Sequence, residues 1–214
     1  MTAPDPAASR FGTDAFYASI GRAFVAMCAV PPVLFAIEFV DTRLGGAFEQ
    51  AGGIIPRSPA GLDGIALAPL IHGDYAHVLG NSVPLMLMGT FLLAAGTLRF
   101  VLSTLLIAVV AGAGVWFTGD PGTVVVGASG VVFGYLAVLL ARGVVEHSWW
   151  NIAVGLLIGL LYGWQLIGVL PLDERISWQG HLFGFIGGLV ASVVFRRRRE
   201  ERDETVLSGS MEES

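Results

Sequence analysis

Two residues of this chain bring a nucleophile and a base into glycine-rich, apolar surroundings. Ser129 stands in the segment GASG (127–130), and His181 stands in the segment GHLFG (180–184). A serine hydroxyl is a weak nucleophile until a neighbouring base takes its proton, and neutral imidazole does so near pH 7. Asp120 and Asp173 fall on predicted loops, so no carboxylate accompanies the imidazole. The pair therefore predicts acyl transfer by a Ser–His dyad, a variant of the catalytic triad.

A second pair, His77 and Asn81, supplies hydrogen-bond donors. The two residues are four positions apart and share one face of a predicted helix. Acyl transfer places negative charge on the carbonyl oxygen, where each donor in a low-dielectric site contributes roughly 3–4 kcal/mol. The Asn81 amide, a ring N–H of His77 and the backbone N–H of Ser129, at the start of a predicted helix, are the candidate donors.

The composition indicates that these residues lie in a membrane protein. Of the 214 residues, 54% are apolar and only 14% are charged, and the mean hydropathy is +0.72. Soluble domains carry about 25% charged residues. This composition excludes a disordered chain, a nucleic-acid binder and most cytosolic enzymes.

Six apolar stretches predict an all-α, polytopic protein with a six-transmembrane-helix bundle. All six lack Asp, Glu, Lys and Arg, and five of them are each close to the ~20 residues that cross a bilayer as a helix. The first stretch reaches span length if Glu38 snorkels, and Pro31 and Pro32 predict a kink or interruption in it. Cys28, inside the same stretch, is interpreted as a small core residue. The stretches are residues 23–37, 75–98, 100–119, 121–141, 147–172 and 176–195.

The arginines set the expected orientation. All twelve basic residues are Arg, and the positive-inside rule places the side that carries most of them in the cytoplasm. That side includes both termini, so we expect a multi-pass plasma-membrane protein with both ends in the cytoplasm. The predicted divisions are a cytoplasmic segment (1–22), the six-span domain (23–195) and a basic, then acidic, tail (196–214). The arginines of the terminal side are Arg10, Arg22, Arg99, Arg142, Arg196, Arg197, Arg198, Arg199 and Arg202, against Arg43, Arg57 and Arg175 on the other.

Helix direction gathers the polar residues into one layer. Every even-numbered span begins on the outer side, so His77, Asn81, Ser129 and His181 are expected at similar depth near that face. Small residues four apart allow close helix approach. Stripes of this kind, 130/134 on the fourth span and 180/184/188 on the sixth, predict that these two helices touch and bring Ser129 to His181. The long first loop (41–74) is expected to fold onto the outer surface.

In these motifs the sequence resembles the rhomboid family of intramembrane serine proteases. The resemblance rests on His72-x4-His77-x3-Asn81, on the GASG segment and on Gly180-His181-x2-Gly184-x3-Gly188, and covers the six-span core. It implies Ser129 as nucleophile, His181 as general base, and His77, Asn81 and the backbone around Gly127 as the oxyanion and substrate-binding site. His72 would shape the outer end of the second span, Phe133 would stack on His181, and Gly184 would support the helix contact.

The resemblance further implies membrane-spanning protein substrates, a lipid environment and no cofactor, metal or nucleic acid. Two other classes stay open at this point, and so does the oligomeric state. One is a rhomboid-like protein that binds transmembrane segments without cutting them. The other is a transporter or metal site built from His72, His77 and His181.

Overall fold

The computed structural model describes residues 11–172 and 176–196. This part of the chain forms nine α-helices and three described 3-10 turns without a β-strand, which confirms the all-helical prediction. The turns are Pro59–Gly61, Ala68–Leu70 and Gly163–Val169. The helices are α1 Asp14–Met27, α2 Val30–Arg43, α3 Ala47–Gly52, α4 Gly64–Leu67, α5 Tyr75–Ala94, α6 Thr97–Thr118, α7 Ser129–Val145, α8 Trp149–Tyr162 and α9 Trp178–Val194.

Four helical segments are long and apolar enough to cross a membrane. They are Asp14–Arg43, which joins α1 and α2, then α5, α6, and Trp149–Val169, which joins α8 to the following 3-10 turn. Two further apolar helices, α7 and α9, are shorter, at 17 residues each. The chain is therefore a polytopic helical membrane protein.

The first segment is interrupted where its prolines predict. α1 ends at Met27 and α2 begins at Val30, so Pro31 and Pro32 occupy the first turn of α2, where a missing N–H costs no helical hydrogen bond. The helix begins earlier than expected, at Asp14 instead of residue 23, because Thr13 caps it by accepting a hydrogen bond from the Phe16 N–H at 3.2 Å.

One further prediction was wrong, and two lie largely outside the described residues. Cys28 is exposed, so the core interpretation was wrong: the break between the two helices turns it outward, where its sulfur lies 3.9 Å from that of Met86. Most of the predicted tail (196–214) lies outside the described residues, as do residues 1–10 of the predicted N-terminal segment.

The predicted fourth span begins too early. Residues 121–128 are irregular, and the helix starts only at Ser129. Gly122 and Gly127 take positive φ angles of +82° and +115°, which a helix does not contain, and Val125 exchanges two backbone hydrogen bonds with Ile54, both at 2.9 Å. The non-local bridge explains the error, because hydropathy alone does not distinguish this apolar loop from a helix.

The first loop folds onto the bundle, as expected from its short apolar stretches. Besides the Ile54–Val125 bridge, the Arg57 guanidinium donates to the Gly119 carbonyl at 2.7 Å, and the Trp116 indole donates to the Ser58 carbonyl at 2.9 Å. These bonds join the loop to the end of α6 and to the segment that leads into α7.

The most extensive contact between two helices joins α7 and α9. On α9, Gly184 packs directly against the backbone carbonyl of Gly130, and Gly188 packs against that of Gly134. A Cβ at either position of α9 would collide with the carbonyl oxygen. The two glycine stripes therefore face each other, and they set the distance between the two helices.

A methyl group at this contact should destabilise the fold. We predict that Gly184→Ala costs about 1–3 kcal/mol, because the obstructing atoms belong to the backbone of α7 and cannot rotate away. At about 2–4 °C per kcal/mol, the melting temperature of the protein in detergent should fall by several degrees. Gly21→Ala is the matched control, since a Cβ there meets nothing within 4 Å on α1. Equal melting temperatures for the two variants would contradict the close approach.

Candidate active site

One open cavity of about 1100 Å³ contains the polar residues that the sequence places in a single layer. Its lining includes Ser129, His181, His77 and Asn81. These side chains come from the starts of three helices, α7, α9 and α5, which confirms that the helix starts meet at one end of the bundle. His72 does not line the cavity.

Ser129 lies at the first position of α7. Its helix start is fixed from the first loop, because the N–H of Gly127 donates to the Ala68 carbonyl at 2.9 Å. The first N–H groups of a helix have no partner within the helix and carry a partial positive charge. The serine hydroxyl thus lies beside backbone N–H groups that can donate hydrogen bonds to a negatively charged oxygen.

His181 lies in the first turn of α9 and is held on two sides. Its ring stacks on Phe133 with centroids 4.0 Å apart and planes 9° apart, and its Nδ1 lies 2.9 Å from the Gly168 carbonyl oxygen. A carbonyl oxygen only accepts hydrogen bonds, so Nδ1 must carry the hydrogen. This tautomer leaves the lone pair on Nε2, which is the form a general base requires.

Gly168 is the residue that sequence reasoning missed. It is the second-to-last residue of the 3-10 turn after α8, and a Cβ there would lie 2.9 Å from Nδ1 of His181 and 3.2 Å from Cζ of Phe133. The absence of a side chain lets the ring approach the carbonyl. The only signal in the sequence was a glycine thirteen residues before the histidine. Every residue has a backbone carbonyl, so residue types do not show which carbonyl binds the ring.

The glycine contact places the two candidate residues, Ser129 and His181, on helices that touch. Gly130, next to Ser129, packs against the α9 backbone before and after His181. A Cβ on Gly130 would lie 3.1 Å from the carbonyl oxygen of Gly180, which precedes His181. A Cβ on Gly184, three residues after His181, would collide with the Gly130 carbonyl. Ser129 and His181 therefore each stand next to a glycine whose backbone is in direct contact with the other helix.

Two side-chain donors converge beside Ser129. A Cβ at Gly127 would lie 2.6 Å from both Cε1 and Nε2 of His77 and 3.6 Å from Nδ2 of Asn81. Asn81 is 5% exposed, and its Nδ2 makes no hydrogen bond within the described part of the chain. A buried donor of this kind costs free energy unless an acceptor reaches it. The arrangement can hold a negatively charged oxygen near the start of α7.

His72 lies behind this group. Its side chain is only 2% exposed, and its ring meets the His77 ring edge-on, with centroids 5.0 Å apart. Burial, and to a smaller extent repulsion from His77, lowers the pKa of His72 to about 4. The neutral ring therefore supports His77 by packing. Across residues 11–172 and 176–196, no group of three or more His, Cys, Asp or Glu side chains could hold a metal ion.

A family model and a named relative both connect this chain to the same family. The family model described as Rhomboid domain matches residues 62–198. An uncharacterized protein of Mycobacterium tuberculosis is 38% identical over 75% of this chain and 70% of its own length. An uncharacterized protein of Mycobacterium leprae is 33% identical over 75% and 66%. A Bacillus subtilis protein with the name "Putative rhomboid protease" is 30% identical over 62% and 67%.

The contact between Gly168 and the imidazole leads to one prediction. Gly168→Ala should displace the His181 ring, because a Cβ 2.9 Å from Nδ1 forces a shift of a few tenths of an ångström. Nitrogen-15 NMR of labelled histidine should then show a loss of the pure Nδ1–H tautomer. Gly163→Ala is the control within the same turn, since its Cβ would meet nothing within 4 Å. An unchanged tautomer in Gly168→Ala would contradict the role of the carbonyl.

The buried His72 should make stability depend on pH. Its pKa is about 4 in the folded protein and about 6.5 when unfolded, so the unfolded chain binds more protons between these values. The stabilisation is fully present above pH 6.5 and is lost as the pH falls towards 4. Melting temperatures measured across that window should fall less steeply in His72→Gln than in the wild type. His147→Asn, at an exposed position, should keep the wild-type slope, and identical slopes in all three proteins would refute the prediction.

Proposed function

The chain belongs to the rhomboid family of intramembrane proteases, and on that basis we propose that it is a serine endopeptidase that cuts other membrane proteins in or near their transmembrane segments. One observation carries the proposal. A single cavity contains a hydroxyl, an imidazole whose hydrogen bond leaves Nε2 free, and two side-chain donors. These are the groups that acyl transfer by a dyad requires.

In the proposed first half-reaction, the Ser129 oxygen attacks the carbonyl carbon of the scissile peptide bond while Nε2 of His181 takes the hydroxyl proton. The resulting imidazolium is stabilised by the Gly168 carbonyl at Nδ1 and by the face of the Phe133 ring. The same proton then passes from Nε2 to the leaving amine nitrogen. The C–N bond breaks and an acyl-serine ester remains.

In the second half-reaction, Nε2 takes a proton from water, and the hydroxyl oxygen attacks the ester carbonyl. The bond to Ser129 breaks, and the proton returns from the imidazolium to the serine oxygen. Both tetrahedral intermediates carry a negative oxygen. We assign its stabilisation to the Asn81 amide and a ring N–H of His77, which lie beside Gly127, and to the backbone N–H of Ser129 two residues further on.

Helix lengths favour a site below the membrane surface. At 1.5 Å per residue, α7 and α9 each extend about 26 Å, less than the ~30 Å of the hydrocarbon core. Helices of this length that reach the inner interface start beneath the outer one. We propose that the six apolar segments all cross the plasma membrane, that both termini are cytoplasmic, and that the cavity opens towards the outer side, as the arginine distribution favours.

The proposal leads to a decisive prediction. Ser129→Ala and His181→Ala should each lower cleavage of a single-span reporter protein by about 10⁴-fold or more, because either change removes the nucleophile or its base. A fluorophosphonate probe should label the wild type and fail to label Ser129→Ala. New termini, mapped by mass spectrometry against a panel of single-span proteins, would identify the bond that is cut.

Ser192→Ala is the matched control, because Ser192 is a buried serine of α9 that donates to the Leu189 carbonyl. This variant should retain both labelling and cleavage. Full turnover by Ser129→Ala or His181→Ala would reject the dyad. Binding of transmembrane segments by the wild type without any cleavage would instead favour the non-cutting class.

A further inference from the structure

The cavity next to Ser129 has a strongly acidic lining. Three carboxylates, those of Glu49, Asp74 and Asp120, line it together with the candidate catalytic residues. None of its described lining residues is an arginine, and the chain contains no lysine. The formal charge of the described lining, with neutral histidines, is therefore −3.

Among the described residues, Arg43 and Arg57 do not cancel this charge. Arg43 lies over the Phe39 ring, 4.6 Å from its centroid, and Arg57 is directed to the Gly119 carbonyl. Neither side chain lines the cavity. Even if the charge of Arg57 is counted against that of Asp120, which follows Gly119, a formal charge of −2 remains. Asp74 accepts a hydrogen bond from the backbone N–H of His77 at 2.7 Å, which places its carboxylate at the start of α5.

An independent feature of the same cavity indicates that a peptide is its ligand. Asn81 lines the cavity, and its buried Nδ2 makes no hydrogen bond within the described residues. A neutral amide donor in this position suits a carbonyl oxygen. The cavity thus combines a donor for peptide backbone with an excess of negative charge on its walls.

We infer that the cavity selects substrates with Lys or Arg in the polar flank beside the bond that is cut. The inference rests on the proposed function. Apolar helix walls with charges of one sign focus the electric field, which concentrates oppositely charged ligands and speeds their association by about 10- to 10³-fold. Most membrane proteins carry their basic flanks on the cytoplasmic side. An outward-facing acidic cavity would therefore prefer a minority of transmembrane segments.

The test compares one transmembrane peptide with three flanks, in which the same positions carry Lys, Gln or Glu. The full chain is embedded in zwitterionic phosphatidylcholine nanodiscs, so that lipid charge does not contribute. Binding is measured by fluorescence anisotropy with Ser129→Ala, and cleavage is measured with the wild type. At low salt we expect the Lys flank to bind about tenfold tighter than the Glu flank, and the ratio to fall as salt screens the charges.

Enzyme variants locate the source of the preference. With Ser129→Ala as background, adding Glu49→Gln and Asp120→Asn should remove most of the tenfold ratio. Adding Asp63→Asn should leave the ratio intact, because Asp63 caps α4 outside the cavity and asparagine also caps helices.

The outcomes separate the two proposals. Equal binding of the Lys and Glu flanks, or an undiminished ratio after Glu49→Gln and Asp120→Asn, overturns the inference about charge. Cleavage that is indifferent to the flank overturns the same inference and leaves the protease intact. A Lys preference in binding, without cleavage of any peptide, supports the acidic cavity and overturns the proposed hydrolysis.

Discussion

The close approach of α7 and α9 is the constraint on which the rest of the structure depends. Glycines on one helix press directly on backbone carbonyls of the other, so the helix separation is set by main-chain atoms. Within a bilayer, lipid tails are as apolar as side chains, and tight packing of this kind replaces the hydrophobic effect as the force between helices. Ser129 and His181 line the same cavity, and each stands beside a glycine that makes this contact.

Backbone groups take over tasks that charged side chains perform in soluble enzymes. The Gly168 carbonyl binds Nδ1 of His181, the position a carboxylate occupies in a triad. A buried carboxylate would have to be paired or solvated at a cost of several kcal/mol, whereas a carbonyl orients the ring without a net charge. The start of α7 likewise offers N–H donors that the helix itself leaves unpartnered. The groups that hold His181 and those at the start of α7 are therefore polar without a net charge.

The loops complete the cavity and contribute its acidic residues. Pairing of Ile54 with Val125 joins the first loop to the segment before α7, and the Gly127 N–H bond to Ala68 holds that segment where His77 and Asn81 can face it. The same connecting segments contribute the carboxylates of the cavity. The helix pair thus sets the positions of Ser129 and His181, while the loops carry the acidic residues of the cavity.

The sequence by itself determined the apolar helical class, the break at Pro31 and Pro32, and the shared level of the polar residues, because hydropathy, helix direction and residue type are local properties. Its motifs also determined the family. Tertiary structure decided where α7 begins. An apolar loop and an apolar helix have the same hydropathy, and only the backbone pairing of Val125 with Ile54 shows that this segment is a loop. Tertiary structure also decided that Cys28 faces outward and that Gly168 binds the imidazole. A main-chain carbonyl is common to every residue, so only its position in space distinguishes the one that holds a base.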